Sequence, residues 1–82
     1  MPTTLIDGPY RFSFFSGDCA EPRHTHVWRD TFEAKFWLDP VVLEYNKGFR
    51  RKEIRQIERL VHKHGELLRS KWDEHCASST AR

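Results

Sequence analysis

Two histidines separated by one residue, His24 and His26, are the side chains in this sequence best suited to chemistry. In a strand, that spacing places both imidazoles on one side, roughly 6.6–6.8 Å apart along the chain. An imidazole changes its charge near neutral pH, so one ring can accept a proton while the other donates one. Such a pair suits RNA cleavage, and we therefore take His24 and His26 as candidate catalytic residues.

The same pair permits two other interpretations. The imidazoles could ligate a metal ion together with Cys19, Glu21 or Asp30. Zinc needs at least three protein ligands in a defined geometry, and the sequence shows no clear set, so we predict neither a metal site nor a cofactor. The two rings could instead form hydrogen bonds at a binding surface, since spacing alone does not separate these roles.

The segments that carry the histidines are predicted to form strands. Residues 10–16 alternate aromatic and polar side chains, and residues 24–38 form two such runs around a turn at residues 30–31, which predicts a hairpin. Residues 5–7 and 41–45 are shorter and less definite candidates. The sheet should therefore be antiparallel, with three to four strands.

A long helix is predicted over residues 50–76. Its apolar side chains recur at spacings of three and four, which gives one buried face: Ile54, Ile57, Leu60, Val61, Leu68 and Trp72. Gly65 weakens the middle of this helix by about 1 kcal/mol relative to alanine. We expect a single α+β domain over residues 1–76, with the small antiparallel sheet packed against this one helix, and a flexible tail over residues 77–82.

One helix covers only one face of such a sheet, so alternation along the strands assigns the remaining side chains to an uncovered face. That face would carry Arg11, Phe15, His24, His26, Trp28, Lys35 and Trp37, opposite a core of Tyr10, Phe12, Phe14, Val27, Ala34, Phe36 and Leu38. Aromatic rings and cations on an open sheet can stack bases and hold phosphates. An exposed aromatic patch is more often a protein interface than a nucleic-acid surface. Arg11, Trp28, Lys35 and Trp37 are accordingly candidate contacts for nucleic acid or a protein partner.

The net charge of +2 is divided unevenly between the predicted sheet and helix. Residues 1–49 carry five Lys/Arg and seven acids, whereas residues 50–82 carry nine Lys/Arg and five acids. Cations in a first helical turn oppose the helix dipole, and a phosphate or an acidic partner would relieve that cost. We add the helix cations to the candidate binding residues, with an ordinary solvated face as the alternative: Arg51, Lys52, Arg55 and Arg59.

The cysteines and the N-terminus bear on the cellular compartment. Cys19 and Cys76 have no spacing signature, and residues 1–7 show no secretion signal. We therefore expect reduced thiols and a cytoplasmic location. No apolar run reaches the roughly 18 residues of a membrane span, so no membrane partner is expected.

Five segments, in order over about residues 1–75, resemble the domain-of-unknown-function 4160 family. They are Met1–Thr4, Gly8–Phe12, Glu21–Val27 with its Pro-x-His-x-His-Val pattern, Glu33–Leu38, and Gly48–Phe49 ahead of the long helix. The sequence departs from the family pattern at Arg23, Thr31 and Arg50. At Arg50 a serine often begins a capping box, so only the Glu53 half of that box is present, at a cost of about 1 kcal/mol.

The resemblance implies a small bacterial or archaeal protein whose gene often adjoins a member of the domain-of-unknown-function 2442 family, in an arrangement like a toxin–antitoxin operon. The expected function is then a toxin that acts on RNA or translation and is neutralised by that small antitoxin partner. The family has no established catalytic residues, so enzymatic activity is left open, as is the oligomeric state. The alternative is a non-enzymatic module that binds protein or nucleic acid through the open sheet face.

Overall fold

The computed structural model describes residues 3–14 and 18–80. These residues form five strands, a short 3-10 helix at Asp18–Ala20 and two α-helices. The strands are β1 (Thr3–Asp7), β2 (Tyr10–Ser13), β3 (His24–Arg29), β4 (Phe32–Leu38) and β5 (Val41–Lys47), and the helices are α1 (Arg51–Lys63) and α2 (Gly65–Thr80). The α+β class is confirmed.

The sheet is an antiparallel meander in which each strand pairs with its neighbour in the chain. The prediction of three to four strands was wrong, because both uncertain segments are strands at the edges of a five-stranded sheet. Each edge strand has a break in register, between Thr3 and Leu5 in β1 and opposite Lys35–Phe36 in β5. A bulge interrupts the two-residue alternation, which is why neither edge strand shows the clear pattern of the central strands.

The predicted single helix over residues 50–76 was also wrong, because the chain breaks at His64. This residue is the C-cap of α1, with φ −101° and ψ 11°, and α2 begins at the next residue, Gly65. The break lets the two helices aim separate apolar faces at the sheet: α1 buries Ile57 and Val61, and α2 buries Leu68. Helix α2 includes residues 77–80 of the expected tail, and tail flexibility stays a prediction.

The core lies between one face of the sheet and the two helices. Every side chain that alternation assigned to this face is buried: Tyr10, Phe12, Phe14, Val27, Ala34, Phe36 and Leu38. Phe49, from the connection between β5 and α1, completes the cluster with the helix residues. The alternation along the central strands therefore predicted the core correctly.

The expectation of reduced thiols was wrong. Cys19 and Cys76 form a disulfide across a sequence separation of 57 residues, with their Cα atoms 5.6 Å apart. It links the segment before β3 to α2. Spacing in the sequence carried no sign of this pairing, because only the packing of α2 against the start of β3 brings the two cysteines together.

Candidate nucleic-acid interface

The face of the sheet opposite the core, called here the second face, is organised in three transverse rows by the strand register. The outer row contains Ile6, Arg11, Trp28, Glu33 and Lys47; the middle row contains Ser13, His26, Lys35 and Tyr45; and the inner row contains His24, Trp37 and Val42. The prediction that Arg11, His24, His26, Trp28, Lys35 and Trp37 share one face agrees with this register. Phe15, also assigned to this face, lies outside the described residues.

The two candidate catalytic histidines are not on an uncovered surface, which corrects that part of the prediction. His24 is 1% exposed and His26 is 4% exposed. The Nδ1 atom of His24 lies 2.9 Å from the carbonyl oxygen of Pro22. Its ring packs 4.8 Å from Trp72 of α2 and 5.5 Å from Trp37, measured between ring centroids. An RNA backbone does not reach side chains this deeply enclosed.

The segment between the 3-10 helix and β3 contributes to this enclosure. Glu21 Oε1 accepts a hydrogen bond from Lys35 Nζ at 2.8 Å and lies 3.6 Å from His24 Nδ1. The Lys35 side chain is only 11% exposed, and its ammonium group lies 4.6 Å from the centroid of the Trp37 ring. Trp37 in turn donates a hydrogen bond from Nε1 to Glu44 at 3.0 Å. Lys35 and Trp37, two of the candidate binding residues, are thus engaged within the protein.

His26 belongs to a polar cluster that the sequence analysis missed. The Tyr45 hydroxyl donates to Glu33 Oε2 at 2.6 Å, and the same carboxylate oxygen lies 3.0 Å from His26 Nδ1. The Tyr45 hydroxyl is also 3.3 Å from His26 Nδ1. Buried polar atoms need such partners, and the cluster provides them for His26 Nδ1, the Glu33 carboxylate and the Tyr45 hydroxyl between strands β3, β4 and β5. The available signal was Glu33, an acid that alternation places on the histidine face.

The metal interpretation of the histidine pair finds no third ligand in residues 3–14 and 18–80. No three His, Cys, Asp or Glu side chains converge there in a way that could hold an ion. Cys19, one of the suggested ligands, is taken up by the disulfide. The imidazoles of His24 and His26 instead pack edge to face, with centroids 5.2 Å apart.

The outer row is open to solvent along most of its length, and it contains Arg11 and Trp28, two of the candidate binding residues. Arg11 and Lys47 are exposed, Trp28 is half-buried, and Ile6 is 67% exposed. The carboxylate of the remaining member, Glu33, belongs to the polar cluster with His26 and Tyr45. The open surface of the row is therefore aromatic, aliphatic and cationic.

A second cationic surface lies on the outside of α1. Arg51, Lys52, Arg55 and Arg59 are all exposed. At 3.6 residues per turn they fall within about 100° of arc, on the side opposite the buried Ile57 and Val61. Among the residues that the structure describes, these four cations make no ion pair. We call this surface the cationic face of α1.

The start of α1 explains why Arg51 and Lys52 make no ion pair within the described residues. Arg50 is the N-cap and makes no side-chain cap hydrogen bond, which agrees with the missing half of the capping box. Glu53, the acid of the first turn, instead accepts hydrogen bonds from Arg29 Nε and Nη2 at 2.6 and 2.8 Å. The Tyr10 hydroxyl donates to the same carboxylate at 2.7 Å. The first-turn carboxylate is therefore committed to the sheet and not to Arg51 or Lys52.

These contacts shift the acidity of Glu53 and of Tyr10. The hydrogen bonds from Arg29 hold the pKa of Glu53 below its ordinary value, against the opposing effect of desolvation. Burial, followed by the hydrogen bond to Glu53, raises the pKa of Tyr10 to about 12. Glu53 thus remains an anion that anchors α1 to the sheet, and the cations on the opposite side of the helix remain available.

No curated protein and no solved structure matches the chain. In the structure, across residues 3–14 and 18–80, neither helix is both long enough and apolar enough to cross a membrane. The family described as a domain of unknown function (DUF4160) matches residues 10–73, which include both histidines and the cationic face of α1. The chain belongs to the DUF4160 family.

Proposed function

We propose that this protein binds RNA through the cationic face of α1 and does so without cutting it. The observation that carries the proposal is that Arg51, Lys52, Arg55 and Arg59 share one exposed face and lack ion-pair partners in the described residues. Four unpartnered cations along a helix make a surface that phosphates can neutralise with release of their counterions. The burial of His24 and His26 favours binding over cleavage.

The cellular role that we propose is the toxin component of a bacterial toxin–antitoxin pair, located in the cytoplasm. Occupying an RNA, or an RNA surface of the translation machinery, would block its use without any bond being broken. The antitoxin would be a small protein of the domain-of-unknown-function 2442 type, as the family resemblance implies. An acidic surface on that partner would compete with RNA for the cationic face of α1.

RNA binding is tested by the salt dependence of affinity for a short single-stranded RNA. The four cations of α1 should contribute about −3 to the slope of log K against log salt, since each phosphate contact contributes about 0.7 for a single strand. Arg55→Gln combined with Arg59→Gln should weaken binding and reduce the steepness by about 1.4. Lys71→Glu, at an exposed position of α2, lowers the net charge by the same two units and should leave the slope near that of the wild type.

Equal loss of affinity in both variants would mean that net charge, and not the cationic face of α1, is responsible. No detectable binding by the wild type at low salt would overturn the proposal. The toxin role has a separate test, which is growth during expression with and without the adjacent gene. Growth arrest that is relieved by the neighbour and lost in the Arg55→Gln, Arg59→Gln variant is expected, and normal growth at high expression would contradict a toxin.

A further inference from the structure

We infer that the outer row of the second face is a stacking platform, and that the ligand class is single-stranded nucleic acid rather than duplex. The inference rests on the proposed function and extends it to a second surface. Its centre is Trp28, with Arg11 and Lys47 as phosphate contacts on either side. Three observations support it: the strand register, the different surroundings of the three tryptophans, and the position of the row relative to α1. The stiffness of a duplex then selects a single strand.

The strand register brackets Trp28 with cations. Arg11 pairs directly with Trp28 on the neighbouring strand, and Lys47 pairs with Glu33, which itself pairs with Trp28. At roughly 4.8 Å between strands, Arg11 lies one spacing from Trp28 and Lys47 lies two spacings away on the other side. Glu33 does not neutralise the row, because its carboxylate is engaged by Tyr45.

The three tryptophans of the chain have different surroundings. Trp72 is buried against Phe14 and His24. Trp37 donates to Glu44 and is covered by the Lys35 ammonium group. The indole nitrogen of Trp28 is buried without a hydrogen-bond partner among the described residues, and the residue as a whole is half-buried within the open row. Trp28 is therefore the tryptophan placed to receive a base, an interaction that tolerates any sequence.

The row lies at the end of the sheet where α1 begins. Lys47 is the last residue of β5, and only residues 48–50 separate it from Arg51. Arg50 in this connection is also exposed, so cations continue around the end of the sheet from Lys47 to α1. The Arg29–Glu53 ion pair holds the two surfaces in fixed relation.

The two surfaces nevertheless face opposite directions, because the core lies between the second face of the sheet and the outside of α1. A duplex is stiff over roughly 150 base pairs and cannot turn around the end of so small a protein. A single strand can turn there, stack a base on Trp28 and still place phosphates along α1. Contact with both surfaces therefore selects a single strand.

The test is fluorescence anisotropy with a labelled oligouridine and a labelled RNA duplex of the same length. Oligouridine should bind more tightly than the duplex. Trp28→Ala should weaken oligouridine binding about 5- to 150-fold, since one stacked base contributes about 1–3 kcal/mol, and should leave duplex binding unchanged. Trp28→Phe should retain most of the affinity. Trp28→Leu keeps apolar volume without an aromatic face, so it supplies the same test if the alanine variant does not fold.

Trp37→Phe is the matched control, because this tryptophan is on the same face but engaged within the protein, and it should bind as the wild type does. Binding of oligothymidine of the same length should also be weakened by Trp28→Ala, because single-stranded DNA and RNA both offer bases to stack. Equal affinity for oligouridine and duplex, with no effect of Trp28→Leu, would overturn the platform and leave RNA binding by α1 intact. Failure of both RNAs to bind the wild type at low salt would overturn the proposed function itself.

Discussion

Glu53 shows how one side chain can hold elements together while shaping the surface beside it. The family pattern suggests a capping role for this residue, but its carboxylate binds Arg29 of β3 and Tyr10 of β2. A charge-assisted bidentate contact of this kind is stronger than a neutral hydrogen bond. Because the contact also removes the first-turn acid from the solvent side of α1, it leaves Arg51 and Lys52 without a carboxylate partner in the part of the chain that the structure describes.

The lowered pKa of Glu53 predicts a dependence of stability on acid. A carboxyl whose pKa is lower in the folded state stabilises the fold above its unfolded pKa, and this contribution is lost as pH falls through the folded value. We expect Glu53→Gln to reduce the free energy of unfolding at pH 7 by about 1.5 kcal/mol, the low end for a charged hydrogen bond because the pair is partly exposed. It should also flatten the decline between neutral and acidic pH in urea titrations.

Glu74→Gln, which removes an exposed carboxyl of α2, is the control for this prediction. It should retain the wild-type pH profile. Part of the decline should persist in Glu53→Gln, because the hydrogen bond from His64 also lowers the pKa of Asp7. An unchanged profile in Glu53→Gln would contradict the assigned role.

At the scale of the elements, connections and bulges determine which surfaces are available. Both edge strands carry a register break, and a bulged edge is a poor template for another strand. Arg23, a departure from the family pattern, donates to Asp73 at 2.8 and 2.6 Å and to Asp39 at 3.0 Å. It ties α2 to the strand ends next to His24, so the departure supports the enclosure of the second face.

Gly48, between β5 and α1, and Gly65, the first residue of α2, should respond in opposite ways to alanine. Gly48 has φ +112°, and an added Cβ would overlap the Phe32 ring, so Gly48→Ala should destabilise by more than 1 kcal/mol. At Gly65 the nearest atom to an added Cβ is the Arg69 guanidinium at 3.0 Å, which can move away. Gly65→Ala should therefore stabilise by up to about 1 kcal/mol through helix propensity. Thermal unfolding of both variants measures these changes in stability. Destabilisation by Gly65→Ala would show that the helix break requires glycine.

At the scale of the whole molecule, a chain of 82 residues with a small core gains from a covalent link. The disulfide closes most of the chain into a loop and holds the segment that contributes to enclosing His24. It also qualifies the proposed cytoplasmic location, because reducing compartments keep such pairs as thiols. The enclosure of the histidines would then depend on Arg23 and the packing of Trp72.

Reduction should lower stability without abolishing RNA binding. The loop-closure argument for a separation of 57 residues gives about 4 kcal/mol of stabilisation. Urea unfolding with and without dithiothreitol should show a loss of that order. The Cys19→Ser, Cys76→Ser variant should unfold like the reduced protein and be insensitive to dithiothreitol. Two reactive thiols in the air-oxidised native protein would contradict the pairing.

The sequence by itself determined the features that depend on neighbours a few residues apart. Alternation predicted the core face from Tyr10 to Leu38 and the hairpin over residues 24–38, and helical spacing placed Arg55 and Arg59 on one face. The sequence could not resolve the edge strands, because their bulges interrupt that alternation. It also could not predict the helix break at His64, because the break is stabilised by the separate packing of α2 on the sheet.

Only the tertiary structure decided which part of the second face is accessible. The enclosure of His24, the His26–Glu33–Tyr45 cluster and the Cys19–Cys76 link all depend on contacts between different elements. Alternation reports which side a residue occupies and carries no information on what later covers that side. The candidate site is therefore formed by Trp28 and the cationic face of α1 and not by the histidines. Packing encloses the histidines and leaves Trp28 and the outside of α1 accessible.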